Sequence, residues 1–385
     1  MNNFVYENPT KIIFGQGQIA KIAREIPAGA KVLITYGGGS CKRTGVLDEV
    51  IAALEGYDVT EFGGIEPNPD YATLMKAIEV VHTEKIDYLL AVGGGSVIDG
   101  TKFIAAGARY DGDPWEILLN RGKGIKDAMP IGVVLTLPAT GSESNPRAVV
   151  SRKSMNAKIS FYSTQVFPRF AVLDPTKTYT LPKQQISNGV VDAFMHVFEQ
   201  YMTCPMEARL QDRFAEGILH TLIELGPVAL QEPENYDVRA NLMFCATMAL
   251  NGLIAAGVPQ DWSTHMVGHE LTALYGMEHA VTLAALAPGM LTVLRDKKRA
   301  KLLQYGERIW GLTQGSEDER VDKAIAKTKE FFETMQLKTN LRDHGLTPDN
   351  IPEILDSLQA HDMVRLGEDQ DVTPELVRQA LELSF

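Results

Sequence analysis

The 385-residue sequence predicts an α/β half, residues 1–183, followed by an all-helical half, residues 184–385. Three observations predict this. Up to about Leu181, short runs rich in β-branched residues alternate with helical stretches. Those runs are apolar throughout rather than alternating, as expected of parallel strands buried on both faces. Beyond Pro182 the apolar periodicity becomes helical and stays so. A chain of this length also exceeds the usual size of one core. Two closely packed domains would leave a cleft, where ligands commonly bind.

In chain order, strands are expected at KVLITY (31–36), DVTEF (58–62), DYLLAV (87–92), IGVVLTL (131–137) and FAVLD (170–174). After LPKQQISNG, the segments EARLQDRFAEGILHTLIELG and VRANLMFCATMALNGLIAAG read as helices. The domain boundary is expected near Pro182, with Ser187 or Asn188 capping the helix that carries VDAFMH. No repeat, low-complexity tract or long linker interrupts the chain.

Composition narrows the function. Hydrophobic residues make up 45% and charged residues 22%, as in a folded globular protein. A formal net charge of −12 argues against nucleic acid or an anionic membrane as partner. The three cysteines, Cys41, Cys204 and Cys245, are scattered and odd in number, which points to neither a disulfide framework nor a thiolate metal site. A reducing cytoplasm is the expected compartment. The N-terminus lacks a basic and then apolar leader, and AVTLAALAPGMLTVL is broken by Pro and Gly, so neither secretion nor a membrane span is expected.

Two triple-glycine loops carry the first chemistry. In AVGGGSVIDGTK a strand ends in three glycines, with Ser96 expected at a helix N-cap and Asp99 three residues on. Glycine permits close backbone approach and a helix start offers free N–H groups to phosphate, although a tight turn with a capping pair fits the same residues. In ITYGGGSCKRTG, Gly37, Gly38, Gly39 and Ser40 follow KVLITY. No acid stands in this loop to take a ribose 2′-hydroxyl. Ser40, Lys42 and Arg43 favour a 2′-phosphate, hence NADP over NAD, while a solvated basic turn is the alternative. LPATGSESN (137–145) fits a ribose or nicotinamide lining, or an ordinary loop.

Five of the eight histidines fall between residues 196 and 279. Asp192 and His196 lie four apart, on one face of a helix. His265 and His269 repeat that spacing, and His279 follows a turn at Gly276. A carboxylate with several imidazoles suits zinc or ferrous iron. HMVGHE is not the zincin motif, because the general-base Glu is missing. His82, His220, His344 and His361 are assigned no role.

With these motifs in place, YGGGS, GGIEPNP, AVGGGSVIDGTK, LPATGSES, LDP, NGVVDAFMHVFE and THMVGHELTALYGMEHA, the chain resembles the iron-containing (group III) alcohol dehydrogenases along its whole length. It is similar in particular to their NADPH-dependent aldehyde reductase and butanol dehydrogenase branch. The resemblance implies the shared architecture of that family and of dehydroquinate synthase: a dinucleotide-binding α/β domain and an all-helical metal-binding domain. It implies one divalent ion, zinc or iron, held by Asp192, His196, His265 and His279. It puts Gly38, Gly39 and Ser40 around the 2′-phosphate of NADP(H), and Asn68, Gly94, Gly95, Ser96, Asp99 and Lys102 at the phosphates and riboses. Thr136, Thr140, Asn145 and Lys158 would lie along the nicotinamide half. His269 would either relay a proton in catalysis or support the metal shell.

The implied activity is reversible hydride transfer between NADPH and small aldehydes, giving primary alcohols, by a cytoplasmic homodimer. The alternatives are a dehydroquinate synthase-like reaction on a phosphorylated sugar acid, or a nucleotide-binding protein without catalysis. Two positions depart from the family pattern: Ala280 stands where many members have Gly, and Lys177 where some relatives carry an aromatic.

Overall fold

The computed structural model describes residues 1–385 and separates into two compact units. One comprises residues 7–181 and 233–251; the other comprises residues 1–6, 182–232 and 252–385.

The first unit is built on a six-stranded, all-parallel sheet. Its strands are β1 (Lys11–Phe14), β2 (Lys31–Tyr36), β3 (Asp58–Phe62), β4 (Tyr88–Gly94), β5 (Ile131–Leu137) and β8 (Phe170–Leu173), in the order β1-β8-β5-β4-β2-β3. An antiparallel hairpin, β6 (Arg147–Arg152) with β7 (Ala157–Tyr162), stands apart from it. Short helices α1 (Ser40–Arg43) and α2 (Val46–Ala53) follow β2, α3 (Tyr71–Glu84) follows β3, and α4 (Gly95–Gly107) and α5 (Trp115–Leu119) follow β4.

The sheet is buried on both faces, which is why its strands lack polar alternation. On one face Val32, Ile34, Leu90 and Val134 pack under α2 and the 3₁₀ turn at Ile19 and Ile22. On the other, Leu33, Leu89, Ala91 and Val133 pack under α3 and α4. The expected strands form at their expected places, with β4 extending two residues into the glycine run. β1 and the β6–β7 hairpin were not expected. β1 has only four residues, and the hairpin turns through Asn156 at φ 48° without an Asn-Gly signal.

The helical unit contains α6 (Lys183–Tyr201), α7 (Arg209–Gln231), α9 (Ser263–Tyr275), α10 (His279–Val293), α11 (Arg299–Trp310), α12 (Glu317–Thr334), α13 (Ile351–Ala360) and α14 (Pro374–Leu383). α6 is buried over almost its whole length; Phe194 packs against Phe198, Phe331 and Phe332. It starts at Lys183 with Pro182 as N-cap, one turn before the expected Ser187 or Asn188. Pro is tolerated at a helix start because no N–H is needed there. α10 runs through Pro288 and Gly289, and no helix is long and apolar enough to cross a membrane.

Residues 184–385 were expected to form one helical domain, and one helix of that range packs with the sheet unit. α8 (Tyr236–Ala249) belongs to the sheet unit. Buried Arg239 donates to Thr178 Oγ1 at 2.8 Å and to Thr178 O at 2.6 Å, and Thr247 Oγ1 donates to the buried Glu143 at 2.6 Å. Helical periodicity shows that a face is buried, not which partner buries it.

Candidate active site

Two neighbouring strands at the centre of the sheet lead their connections in opposite directions. From β2 the chain goes outward to β3, beneath the α2 face; from β4 it goes the other way to β5, through α4 on the opposite face. The carboxyl ends of β2 and β4 therefore flank a topological switch point, the place where open α/β sheets bind dinucleotides. The two triple-glycine loops end these two strands.

The glycines are required by packing as well as by any ligand. A Cβ at Gly93 would lie 2.6 Å from Val97 Cγ2, one at Gly94 2.9 Å from Leu137 Cβ, and one at Gly95 2.5 Å from Thr140 Cγ2. Strand β4, α4 and the 137–145 loop thus approach more closely than side chains allow. Gly39 has φ 89°, while a Cβ on Gly38 would meet nothing within 4 Å. Asn68, at φ 57°, donates its N–H to Ser96 Oγ at 3.2 Å, bringing the GGIEPNP loop beside the second glycine loop. Gly94 is the N-cap of α4, so the expected cap at Ser96 is displaced and no Ser96–Asp99 capping box forms.

Asp99 and Lys102 both reach from α4 to the loop that follows β5. Asp99 accepts from Ser142 Oγ at 2.5 Å and from Val149 N at 2.9 Å. Lys102 Nζ donates to Ser142 Oγ, Asn145 O and Arg147 O, each at 2.8 Å. Burial pulls the Lys102 ammonium down to about 8, against the attraction of Asp99 and Glu143, and pushes the Asp99 carboxyl up. Both side chains buttress residues 142–149 from inside. Asn145 is buried too, with its amide on Gly141 O at 2.9 Å and its carbonyl oxygen on Arg147 N at 2.9 Å. Thr136 ends β5 half-buried, Thr140 Oγ1 accepts from Ser142 N at 3.2 Å, and Lys158 lies buried on β7 opposite Ser151. Lys177 forms an ion pair with Glu49 at 2.6 Å.

An acid does stand beside the first glycine loop, although none stands in it. It comes from the next strand: Glu61, near the end of β3, lies 2.8 Å from Lys42 Nζ. An acid about 20 residues beyond the glycines is where a dinucleotide fold commonly places its ribose ligand.

The helical unit brings three of the four expected metal ligands into one cluster, with His196 beside it. Ligand atoms of Asp192, His265 and His279 all lie within 4.8 Å of one another. Asp192 Oδ1 is 3.7 Å from His279 Nε2 and 3.7 Å from His196 Nδ1. Tetrahedral metal–ligand bonds of about 2.0–2.2 Å would need ligand separations of roughly 3.3–3.6 Å. The His196 ring lies 4.8 Å from that of His265, and the His269 ring 5.2 Å from that of His279.

Chemistry tests the fit better than spacing. Asp192 Oδ1 and His196 Nδ1 are buried and have no hydrogen-bond partner. A buried carboxylate oxygen without a donor is costly unless something else pairs with it. Burial holds the His196 imidazole down to about 4, so it is neutral and able to ligate. This donor set fits a divalent cation.

The supporting residues were harder to see in sequence. Glu199 receives Thr264 N at 2.7 Å, His265 N at 3.2 Å and the Nδ1 side of the His265 ring, so one carboxylate both caps α9 and orients a ligand. Burial and Asp261 push its carboxyl up, and these N–H groups pull it back. The signal was present: Asp192, His196 and Glu199 follow i, i+4, i+7 spacing. Glu278, just before His279, receives the Asn188 amide from α6. Of the histidines assigned no role, His82, His220 and His344 face backbone carbonyls, and His361 lies 3.0 Å from the Glu270 carboxylate.

Gly268 explains the spacer in HMVGH. A Cβ there would lie 2.6 Å from Thr282 Oγ1, which itself donates to His279 O at 2.7 Å. Gly268→Ala is therefore expected to move α10 and His279 away from α9 and to weaken the binding of an added divalent ion by roughly tenfold or more. Competition with a chromophoric chelator measures this; unchanged affinity would show that the close approach is not needed.

Comparison with known proteins gives concordant matches. The iron-containing alcohol dehydrogenase family model matches residues 9–175, and the C-terminal model of the Fe-containing alcohol dehydrogenase family matches residues 186–384. The chain is 61% identical over 384 residues to the NADPH-dependent aldehyde reductase YqhD of Escherichia coli, covering 99% of both. It is 41% identical to the probable NADH-dependent butanol dehydrogenase 1 of Bacillus subtilis, covering 94% of both. The crystal structure of YqhD from Escherichia coli K-12 superposes with a TM-score of 0.99 at 60% identity, covering 100% of this chain and 99% of that one.

Proposed function

Because the chain belongs to the iron-containing alcohol dehydrogenase family, we propose that it reduces short- to medium-chain aldehydes reversibly to primary alcohols with NADPH. The observation that carries the reading is the cluster of buried Asp192 and His265 with half-buried His279, in which one carboxylate oxygen has no hydrogen-bond partner.

In this reading Asp192, His196, His265 and His279 hold one divalent ion, zinc or iron. When bound, the ion supplies Lewis acidity that polarises a carbonyl oxygen, and NADPH supplies the hydride. The chain's residues do the rest. Glu199 fixes the His265 ring and Glu278 anchors the start of α10. His269, one turn from His265 and beside His279, is the imidazole available to pass a proton to the oxygen of the forming alcohol. Trp262, whose ring meets those of His196 and His265 edge-on, excludes water from that side. An apolar neighbour of this kind suits a small neutral aldehyde better than a phosphorylated sugar acid.

Gly38, Gly39 and Ser40 take the adenosine 2′-phosphate, with Asn68, Gly94, Gly95 and Ser96 at the pyrophosphate and riboses and Thr136, Thr140 and Lys158 toward the nicotinamide. Asp99 and Lys102, also at the phosphates and riboses, and Asn145, also along the nicotinamide half, shape the loop between β5 and β6 from within. Gly38 has room for a side chain and an ordinary φ, so Gly38→Asp adds charge without strain. It should raise the KM for NADPH at least tenfold and change that for NADH far less. Equal effects on the two cofactors would put the 2′-phosphate elsewhere.

Three free cysteines suit a reducing cytoplasm, and the exposed Phe4 and Val5 of the N-terminal segment suit a homodimer, which sedimentation would reveal. The reading as a whole is tested by elemental analysis of the purified protein together with NADPH oxidation by butanal. Absence of stoichiometric metal with no turnover would overturn it.

A further inference from the structure

We propose that Glu61 sets the balance between NADP(H) and NAD(H) by competing with the 2′-phosphate for Lys42, an inference that rests on the placement of the adenosine end at the Gly37–Arg43 turn. Nothing in the glycine loop itself suggests this role; it arises from the pairing of β2 with β3. Glu61 lies opposite Ile34 in that ladder, on the face that Ile34 and Tyr36 share. Its carboxylate lies 2.8 Å from Lys42 Nζ and receives the Tyr36 hydroxyl at 3.1 Å. Lys42 Nζ also sits 4.9 Å from the centre of the Tyr36 ring.

Tyr36 is held in this position. A Cβ on Gly63 would lie 2.3 Å from its ring, so the ring rests on the bare Gly63 backbone, which keeps the hydroxyl toward Glu61. Lys42 and Glu61, by contrast, are 51% and 37% exposed, so their pair can open at little cost. Hydrogen bonds from Lys42 and Tyr36 hold the Glu61 carboxyl below the usual range and keep it ionised at neutral pH.

Two consequences follow from the charge. A 2′-phosphate must draw Lys42 away from Glu61 and then tolerate the carboxylate nearby, which costs affinity. A 2′-hydroxyl requires neither, and a carboxylate in this topological position can accept from it. One side chain thus penalises NADP(H) and accommodates NAD(H).

The test is equilibrium binding of NADPH and NADH to the metal-loaded enzyme and to its Glu61→Gln, Lys42→Met, doubly substituted and Gly38→Asp forms. Glu61→Gln should tighten NADPH roughly two- to five-fold, as for an exposed charge pair, and leave NADH within about two-fold. The gain should be smaller in the Lys42→Met background, where only the direct repulsion between carboxylate and phosphate is relieved, and should shrink at high salt. An unchanged NADPH-to-NADH ratio, or an equal gain without Lys42, would overturn the competition. If Lys42→Met had no effect while Gly38→Asp weakened NADPH, the turn would hold the 2′-phosphate and the role of Glu61 would fall alone. If neither substitution affected NADPH, the placement itself would fail and the inference with it.

Discussion

Asp192→Ala should abolish metal retention and aldehyde reduction together, while leaving the metal-free protein at least as stable as metal-free wild type. The activity loss should reach about a thousandfold or more, since a Lewis acid contributes several kcal/mol and each 1.4 kcal/mol is a factor of ten. The stability result follows from the orphaned oxygen. Asp192 is 4% exposed and its Oδ1 has no donor. Leaving such a group unsatisfied costs about 1–3 kcal/mol. Removing it relieves that cost, whereas removing a carboxylate that served packing alone would destabilise the fold. His265→Ala should lose metal and activity in parallel. Elemental analysis, turnover with butanal and urea denaturation with and without chelator measure all three quantities. A variant that stays active without metal would refute the ligand assignment.

Lys298→Met should cost roughly 3–5 kcal/mol of stability, the usual result of stripping one partner from a buried ion pair. The Lys298 ammonium lies 2.7 Å from Asp261, 3.2 Å from Glu368 and 2.6 Å from Met202 O, and the three side chains are 2%, 6% and 1% exposed. Without it two carboxylates remain facing each other in the interior. The effect should reach the metal site, because Asp261 also holds the start of α9. Its N–H donates to Glu199 O at 3.2 Å and its Oδ1 receives Ser263 N at 2.9 Å. Trp262, at φ 64°, makes the turn between them. Adding Asp261→Asn and Glu368→Gln should recover most of the loss by removing the unpaired charges. Equilibrium urea unfolding checks both steps; a single variant within about 0.5 kcal/mol of wild type would mean that water reaches the cluster.

Much of the site was legible because it is local. Asp192 and His196 share one helix face by spacing alone, as do His265 and His269, and the glycine triples mark the ends of β2 and β4 directly. What was not legible depends on contacts between distant segments. Glu199 could be grouped with its helix but not with His265, 66 residues away. That Asp99 and Lys102 also bond to residues 142–149, some 40 to 50 positions on, could not be read from the glycine loop. Lys298 sits in the charged run RDKKR, where a solvated face is the ordinary reading. Only packing buries it.

By itself, the sequence determined the fold class and the strands and marked two glycine loops and a carboxylate–imidazole cluster, while the NADP(H) and metal roles of those residues came from the family resemblance. The strands, loops and helical spacings rest on periods of two and 3.6 residues and on the backbone freedom of glycine, which act over a few residues. Tertiary structure alone decided that α8 joins the sheet unit, that Glu61 from the next strand faces Lys42, and that Glu199, Asp261 and Lys298 brace the ligands. Burial, strand order and the satisfaction of interior charges are properties of the assembled chain. No local window of sequence contains them.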